Sequence, residues 1–179
     1  MNFFQLYLNN IVSELFLTKF YHINRLTNMP KLDKLVLSFK YKNPAEKLII
    51  KSLLALEVMS GCRAKIIVRK KSNLNLKLGQ PVGCKIVLRN SNMFNFLSNI
   101  LFAVNSIKTQ NKSGIKKKIV SNGKIINSIN LNIESLHIMP EFENQYNLLN
   151  NLSSLNITLV IKNNGCSEFL FLNNLLKIG

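Results

Sequence analysis

Residues 59–89 read MSGCRAKIIVRKKSNLNLKLGQPVGCKIVLR, and both ends of this stretch alternate with period two. From Ala64 to Arg69, Ile66 and Val68 fall on one side while Lys65, Ile67 and Arg69 fall on the other. From Cys84 to Arg89, Ile86 and Leu88 oppose Lys85, Val87 and Arg89. Successive strand residues point to opposite faces, so each run predicts a strand with an apolar side for a core and a basic side turned away from it. Between them, Lys70 to Gly83 holds Asn73, Asn75, Gly79, Pro81 and Gly83. That connection is long, basic and too polar for a core, so it reads as a surface loop.

The same alternation extends outward. Leu32 to Lys40 sets Leu35, Leu37 and Phe39 against Lys34, Val36, Ser38 and Lys40, a third strand with one buried face. Asn43-Pro44-Ala45-Glu46 predicts a helix start, with Asn43 as cap, Pro44 at the first position and Glu46 reaching back. This helix should run to Ser60, with Gly61 taking the left-handed stop and Ile50, Leu53, Leu54 and the run from Leu56 to Val58 on its apolar side. Residues 2–20 place Phe4, Leu8, Ile11, Leu15 and Thr18 on one helical stripe. Ser91 can cap a helix over Asn92 to Ser106. Lys108 to Lys124 lacks a periodic apolar face and reads as an extended basic loop. Ile125 to Leu136 and Leu155 to Lys162 read as strands, with a loop around Pro140, and a last helix runs from about Gly165 to Leu176. The order α-β-α-β-β-α-β-β-α predicts one α+β domain over residues 1–179, with 1–30 as N-terminal helix and lead-in. Its helices should pack on one face of a mostly antiparallel sheet. The opposite face and the loops 70–83 and 108–124 are left for a partner.

Charge points to the class of that partner, nucleic acid or an anionic membrane surface. The chain has 24 Lys and Arg against eight Asp and Glu, a net +16. Residues 31–104 carry fourteen bases and three acids, and residues 105–124 carry six lysines and no acid. Residues 125–179 carry two bases and four acids, so the positive charge belongs to the middle of the chain. A fold does not need this imbalance, whereas a polyanion bound on one side of the molecule does. Lys34, Lys40, Lys65, Arg69, Lys85 and Arg89 should form a lattice on the exposed sheet face. Its spacings, about 4.8 Å between strands and about 6.7 Å along them, roughly match phosphates along RNA. The first loop adds Lys70, Lys71 and Lys77, with Ser72, Asn73, Asn75 and Gln80 able to bond sugars and base edges. The second adds Lys112, Lys116, Lys117 and Lys118. The competing reading is a solvated face in a lysine-rich proteome, but that would not leave the C-terminal third acidic. Val36, Ile67 and Val87 stand where a single-strand reader needs exposed aromatic rings, so recognition of backbone and shape fits better than base stacking.

Other classes find little support. Cys62, Cys84 and Cys166 form no CxxC pair, which argues against a zinc site and a secreted disulfide scaffold alike. His22 and His137 are far apart. Glu141 and Glu143 are the only close carboxylates and read as a solvated edge, and no phosphate-binding or dinucleotide motif occurs. Cys62 beside Arg63 reads as an incidental thiol. No catalytic, metal or cofactor site is therefore expected. Asn90 to Ile107 is uncharged but holds five asparagines and three serines, too many amides and hydroxyls for a membrane span. Asparagine makes up 27 of 179 residues, lysine outnumbers arginine twenty to four, and tryptophan is absent. This is the usage of an AT-rich organellar or reduced genome. No secretion signal or transit peptide is read at the N-terminus, so a chain working in an organelle is expected to be made there.

Residues 59–89 also resemble the universal large-subunit ribosomal protein five family in its bacterial and organellar form. Ser60-Gly61, Lys70-Lys71-Ser72, Lys77, Gly79, Pro81-Val82-Gly83-Cys84-Lys85 and Leu88-Arg89 fall in step with that family's turn, basic loop and following strand. Met29 to Lys34, Glu134 to Phe142 and Leu155 to Lys162 are similar to further family segments, in order along the chain. The resemblance implies a non-catalytic component of the central protuberance that binds large-subunit ribosomal RNA and 5S RNA. It implies a loop over residues 70–83 reaching towards the P-site tRNA, neighbouring large-subunit proteins, and a bridge to a small-subunit head protein. The composition makes the mitochondrion-encoded form the expectation. Ser38, Cys62 and Val87 replace residues that are usually Asn, Gln and Thr on the side meeting 5S RNA, which leaves 5S RNA an open partner. The alternative is a general RNA-binding or RNA-chaperone domain using the same basic face, with affinity falling steeply with salt.

Overall fold

A computed structural model describes residues 3–7, 10, 13–19, 31–42, 45–69, 78–108, 115–122, 126–134, 136, 139, 142 and 151–162. Two short helices come first, α1 (Phe3–Tyr7) and α2 (Ser13–Lys19), within the stripe expected over 2–20. Then follow β1 (Lys31–Lys40), α3 (Glu46–Ser60), β2 (Lys65–Val68), β3 (Pro81–Leu88), α4 (Asn90–Lys108), β4 (Ile115–Asn122), β5 (Ile126–Ile133) and β6 (Leu155–Lys162). The six strands form one sheet in the order β2-β3-β1-β6-β5-β4, and every pairing is antiparallel. The expected α+β class holds. The last expected helix lies outside the described residues.

Alternation places the core. In β1, Leu35, Leu37 and Phe39 are fully buried, as are Leu155, Ile157, Leu159 and Ile161 in β6. Ile129, Leu131 and Ile133 of β5 and Cys84, Ile86 and Leu88 of β3 join the same core. Ala55, Leu56 and Met59 of α3 and Met93, Phe96, Leu97 and Ile100 of α4 cover it. At about 25 cal/mol per Å² of apolar area removed from water, each large side chain here contributes roughly 1.5–3 kcal/mol before entropy is counted. A short turn adds Leu136, Met139 and Phe142, held by Met139 N–H to Leu136 C=O at 3.1 Å and Phe142 N–H to Met139 C=O at 3.0 Å.

Two glycines shape the sheet edge. Gly61 takes φ 61° and donates its N–H to the Glu57 carbonyl at 2.9 Å, the expected helix stop. Gly83 faces β1 so closely that a β-carbon there would sit on the Phe39 carbonyl oxygen. Only glycine lets β1 and β3 pair at that point.

Several expectations are corrected. α3 begins at Glu46, with Ala45 as a cap that makes no side-chain hydrogen bond, and Asn43 and Pro44 lie outside the described residues. α4 begins at Asn90 rather than after Ser91, because Asn90 accepts φ 51° and Arg89 supplies the carbonyl for Met93 N–H at 3.4 Å. β3 begins three residues before Cys84, at Pro81, a strand start where a missing N–H is tolerated. Within Lys108 to Lys124, expected as a loop, Ile115 to Asn122 form β4 and pair residue by residue with β5. The missing apolar period misled there: β4 is an edge strand, and lysines are what keep an edge from pairing further. Ile66 and Val68, expected in the core, are 51% and 50% exposed. β2 is the other edge, only four residues long, and what packs on the inner strands does not extend over it.

Candidate nucleic-acid interface

The face of the sheet away from α3 and α4 can be read in rows across the strands. One row runs Lys65, Lys85, Ser38, Asn156, Asn132, Lys116, from β2 to β4. The next runs Val87, Val36, Thr158, Asn130, Lys118. On the other side of the first, Ile67, Gly83 and Lys40 align. Lys34 stands opposite Val160, Ser128 and Val120.

This register gathers part of the expected lattice. Lys65 and Lys85 are direct partners and both exposed, and Lys40 is the diagonal neighbour of Lys85 through Gly83. Three like charges within neighbouring positions destabilise the bare sheet, and a polyanion relieves that cost. Lys34 is half-buried and further along β1. The acid nearest to it in sequence, Asp33, is taken by Lys162 at 3.2 Å across a bulge between Leu32 and Lys34.

Arg69, Gln80 and Arg89 lie beyond the strand ends. The Arg69 N–H donates to the Gln80 carbonyl at 3.0 Å, and the Gly79 N–H returns to the Arg69 carbonyl at 3.2 Å. These bonds close the base of the connection that holds Lys70, Lys71, Ser72, Asn73, Asn75 and Lys77, all outside the described residues. A register shift between Ile67 and Val68 breaks the alternation before Arg69. Arg69 is accordingly half-buried, and its Nη1 is buried without a hydrogen-bond partner among the described residues. Arg89 is exposed where β3 turns into α4.

Across the sheet, Lys116 and Lys118 take positions of the open face. Lys117, expected with them in a basic loop, stands opposite Leu131 in the register. Lys112 lies outside the described residues. Charge counting missed the neutral middle of the face: Asn156, Thr158, Asn130, Asn132 and Ser128, all half-buried, and Ser38, which is buried. The signal was present in Ser128, Asn130 and Asn132 and in Asn156 and Thr158, which alternate with the apolar core residues along Ile126 to Ile133 and Leu155 to Lys162.

Cys84 is fully buried; its thiol donates to Ser52 Oγ at 2.9 Å, and Ser52 donates to the Ile49 carbonyl at 2.9 Å. Burial pushes the Cys84 thiol up, outweighing the opposing hydrogen bonds from Ser52 and the Phe39 backbone. Cys62 is half-buried and accepts from Asn92 Nδ2 at 3.3 Å. Among the described residues no three His, Cys, Asp or Glu could hold a metal ion. No helix among them is long and apolar enough to cross a membrane.

The chain is similar to proteins of one kind. It is 31% identical over 136 residues to "Large ribosomal subunit protein uL5m" of Reclinomonas americana, covering 74% of this chain and 72% of the relative. It is 28% identical over 137 residues to "Large ribosomal subunit protein uL5" of Brachyspira hyodysenteriae, covering 74% and 70%. It is 28% identical over 168 residues to "Large ribosomal subunit protein uL5" of Oceanobacillus iheyensis, covering 92% and 89%. No family model matches the chain.

Proposed function

The chain belongs to the large-subunit ribosomal protein uL5 family, and from that premise we propose that it holds ribosomal RNA in the central protuberance of a mitochondrial large subunit. Membership makes it a structural constituent of the large subunit and not an enzyme. The observation that carries the RNA-binding part is the register that brings Lys40, Lys65 and Lys85 into one exposed cluster on the side away from the helices. Phosphates supply the missing counter-charge, and each contact releases condensed cations from the RNA.

The connection rooted at Arg69 and Gln80 reaches towards the P-site tRNA, and Gly79 and Gln80 at its base are exposed. Neighbouring large-subunit proteins and a small-subunit head protein complete the set of partners. Large-subunit RNA takes the open face. If 5S RNA shares it, it meets Val87 paired with Val36, two side chains that offer no hydrogen bond. The mitochondrial setting rests on the relative named uL5m and on the AT-rich residue usage.

Ultraviolet crosslinking of the tagged chain in its organelle, followed by sequencing of the attached RNA, tests this reading. Reads concentrated on one hairpin of large ribosomal RNA are expected. Reads spread over messages and tRNAs would replace it with a general RNA-binding protein. The ratio of 5S reads to hairpin reads measures how the face is shared.

A further inference from the structure

The two edges of the sheet are built differently. β4 carries Lys116, Lys117 and Lys118 in its sequence, the charge that keeps an edge from pairing further. β2, at the other end of the strand order, carries Ile66, Ile67 and Val68. Only its inner side is paired, with β3, so the main-chain groups of its outer side meet no further strand among the described residues. Ile66 stands opposite the buried Cys84 and so lies on the helix side of the sheet, and Val68 follows on the same side. Both are exposed there.

The apolar surface continues on the neighbouring helix. α3 packs mainly on β3, the strand next to β2. The Ala64 N–H donates to Glu57 Oε1 at 2.9 Å, which ties the entry to β2 to the last turns of α3. Along α3, Ile50, Leu54 and Val58 recur every fourth residue, a single stripe, and all three are exposed. An unpaired strand edge and an apolar helix stripe thus lie at one end of the sheet, on the side away from the lysine cluster. Such an edge is a template for pairing with another chain.

Charge selects the occupant. Arg63 and Lys65 precede the apolar centre of β2 and Arg69 follows it, and none of the three makes an ion pair among the described residues. A second copy of this chain fits poorly, because antiparallel pairing of two β2 edges turns Arg63 and Lys65 of each copy towards Arg69 of the other. A nucleic acid brings phosphates for the cations but no strand for the edge. We propose that the outer edge of β2 receives an extended segment of another protein as a seventh strand, with an apolar centre over Ile66 and Val68 and acidic residues at its ends facing Arg63 and Arg69. Main-chain hydrogen bonds give such a contact its affinity, and the alternate side chains give it specificity. β2 offers four residues, so the contact is short and exchangeable.

The test uses the full chain and three fluorescent eight-residue peptides. One has a centre of alternating valine and threonine with two glutamates at each end, the second is the same peptide with backbone N-methyl groups through its centre, and the third has lysines at the ends. The N-methylated peptide keeps every side chain and charge and loses the main-chain donors. Binding of the first about tenfold tighter than of the second is expected, the loss of two ordinary hydrogen bonds. The third should bind most weakly. Ile66→Lys with Val68→Lys gives β2 the protection that β4 has and should bring the first two affinities together, with the urea midpoint showing that the variant still folds. Equal affinity of the unaltered chain for the first two peptides overturns strand addition, since plain attraction to a basic chain treats them alike. Neither substituted residue belongs to the Lys40, Lys65 and Lys85 cluster, so that result would leave the RNA reading intact. RNA in place of protein attached to a photo-crosslinking side chain at position 66 in assembled large subunits would also overturn the proposal, by giving the edge to RNA.

Discussion

The strands of this protein present two faces from one backbone, and β1 displays the contrast within ten residues. Leu35, Leu37 and Phe39 are fully buried under the helices, while Val36 is half-buried and Lys40 exposed on the other side, with Ser38 buried between them. The buried side tolerates little, because its groups fill a close-packed interior. The open side contributes less to stability, and at the Lys65–Lys85 pair it works against it. Residues that weaken a fold are retained when a partner compensates them, so the split between the faces separates folding from binding.

Substitutions can break that separation or sharpen it. The largest effect is expected at Gly83→Ala, whose new methyl group meets the Phe39 backbone and forces β1 away from β3. A loss of about 4 kcal/mol or outright failure to fold is expected, read as the midpoint of urea unfolding. Gly83 lies on the open side, so this tests whether strand proximity, and not only the core, is limiting. Next, Leu159→Ala removes a fully buried side chain from β6, between β1 and β5. It should cost about 3 kcal/mol in the same assay.

A smaller effect is expected from alkali. Burial raises the Cys84 thiol above its ordinary value of 9.0. Above that value the unfolded chain gives up the proton and the folded chain keeps it, so stability falls as pH rises and is unaffected below. A decline of at most about 1.4 kcal/mol per pH unit is expected, and it should be absent in Cys84→Ala. The smallest stability change belongs to the open face. Lys65→Ala with Lys85→Ala should shift unfolding by about 0.5 kcal/mol or less. The same pair should lower the salt dependence of RNA binding by about one log unit per log unit of salt for each lysine. If those lysines instead behave like Leu159, the two faces are not separable.

The inner strands were legible because their alternation is clean. Leu155 to Lys162 and Leu32 to Lys40 announce both period and face, and the structure keeps them. The edges were not. Ile66 and Val68 obey the same alternation but lie where no helix among the described residues covers them, and sequence alone does not say which strand is outermost. β4 was hidden for the opposite reason, since three consecutive lysines erase an apolar period while leaving the backbone free to pair. Charge located Lys40, Lys65 and Lys85 but could not find the asparagines between the two basic edges. Their grouping depends on the order β3-β1-β6-β5-β4, which brings distant segments side by side.

The most direct test places a photo-crosslinking side chain at one position on each side of the molecule, Lys85 on the open face and Leu54 on the exposed flank of α3. Each variant is incorporated into large ribosomal subunits and irradiated. The account predicts ribosomal RNA attached at position 85 and none at position 54. RNA attached at position 54, with none at position 85, would contradict it.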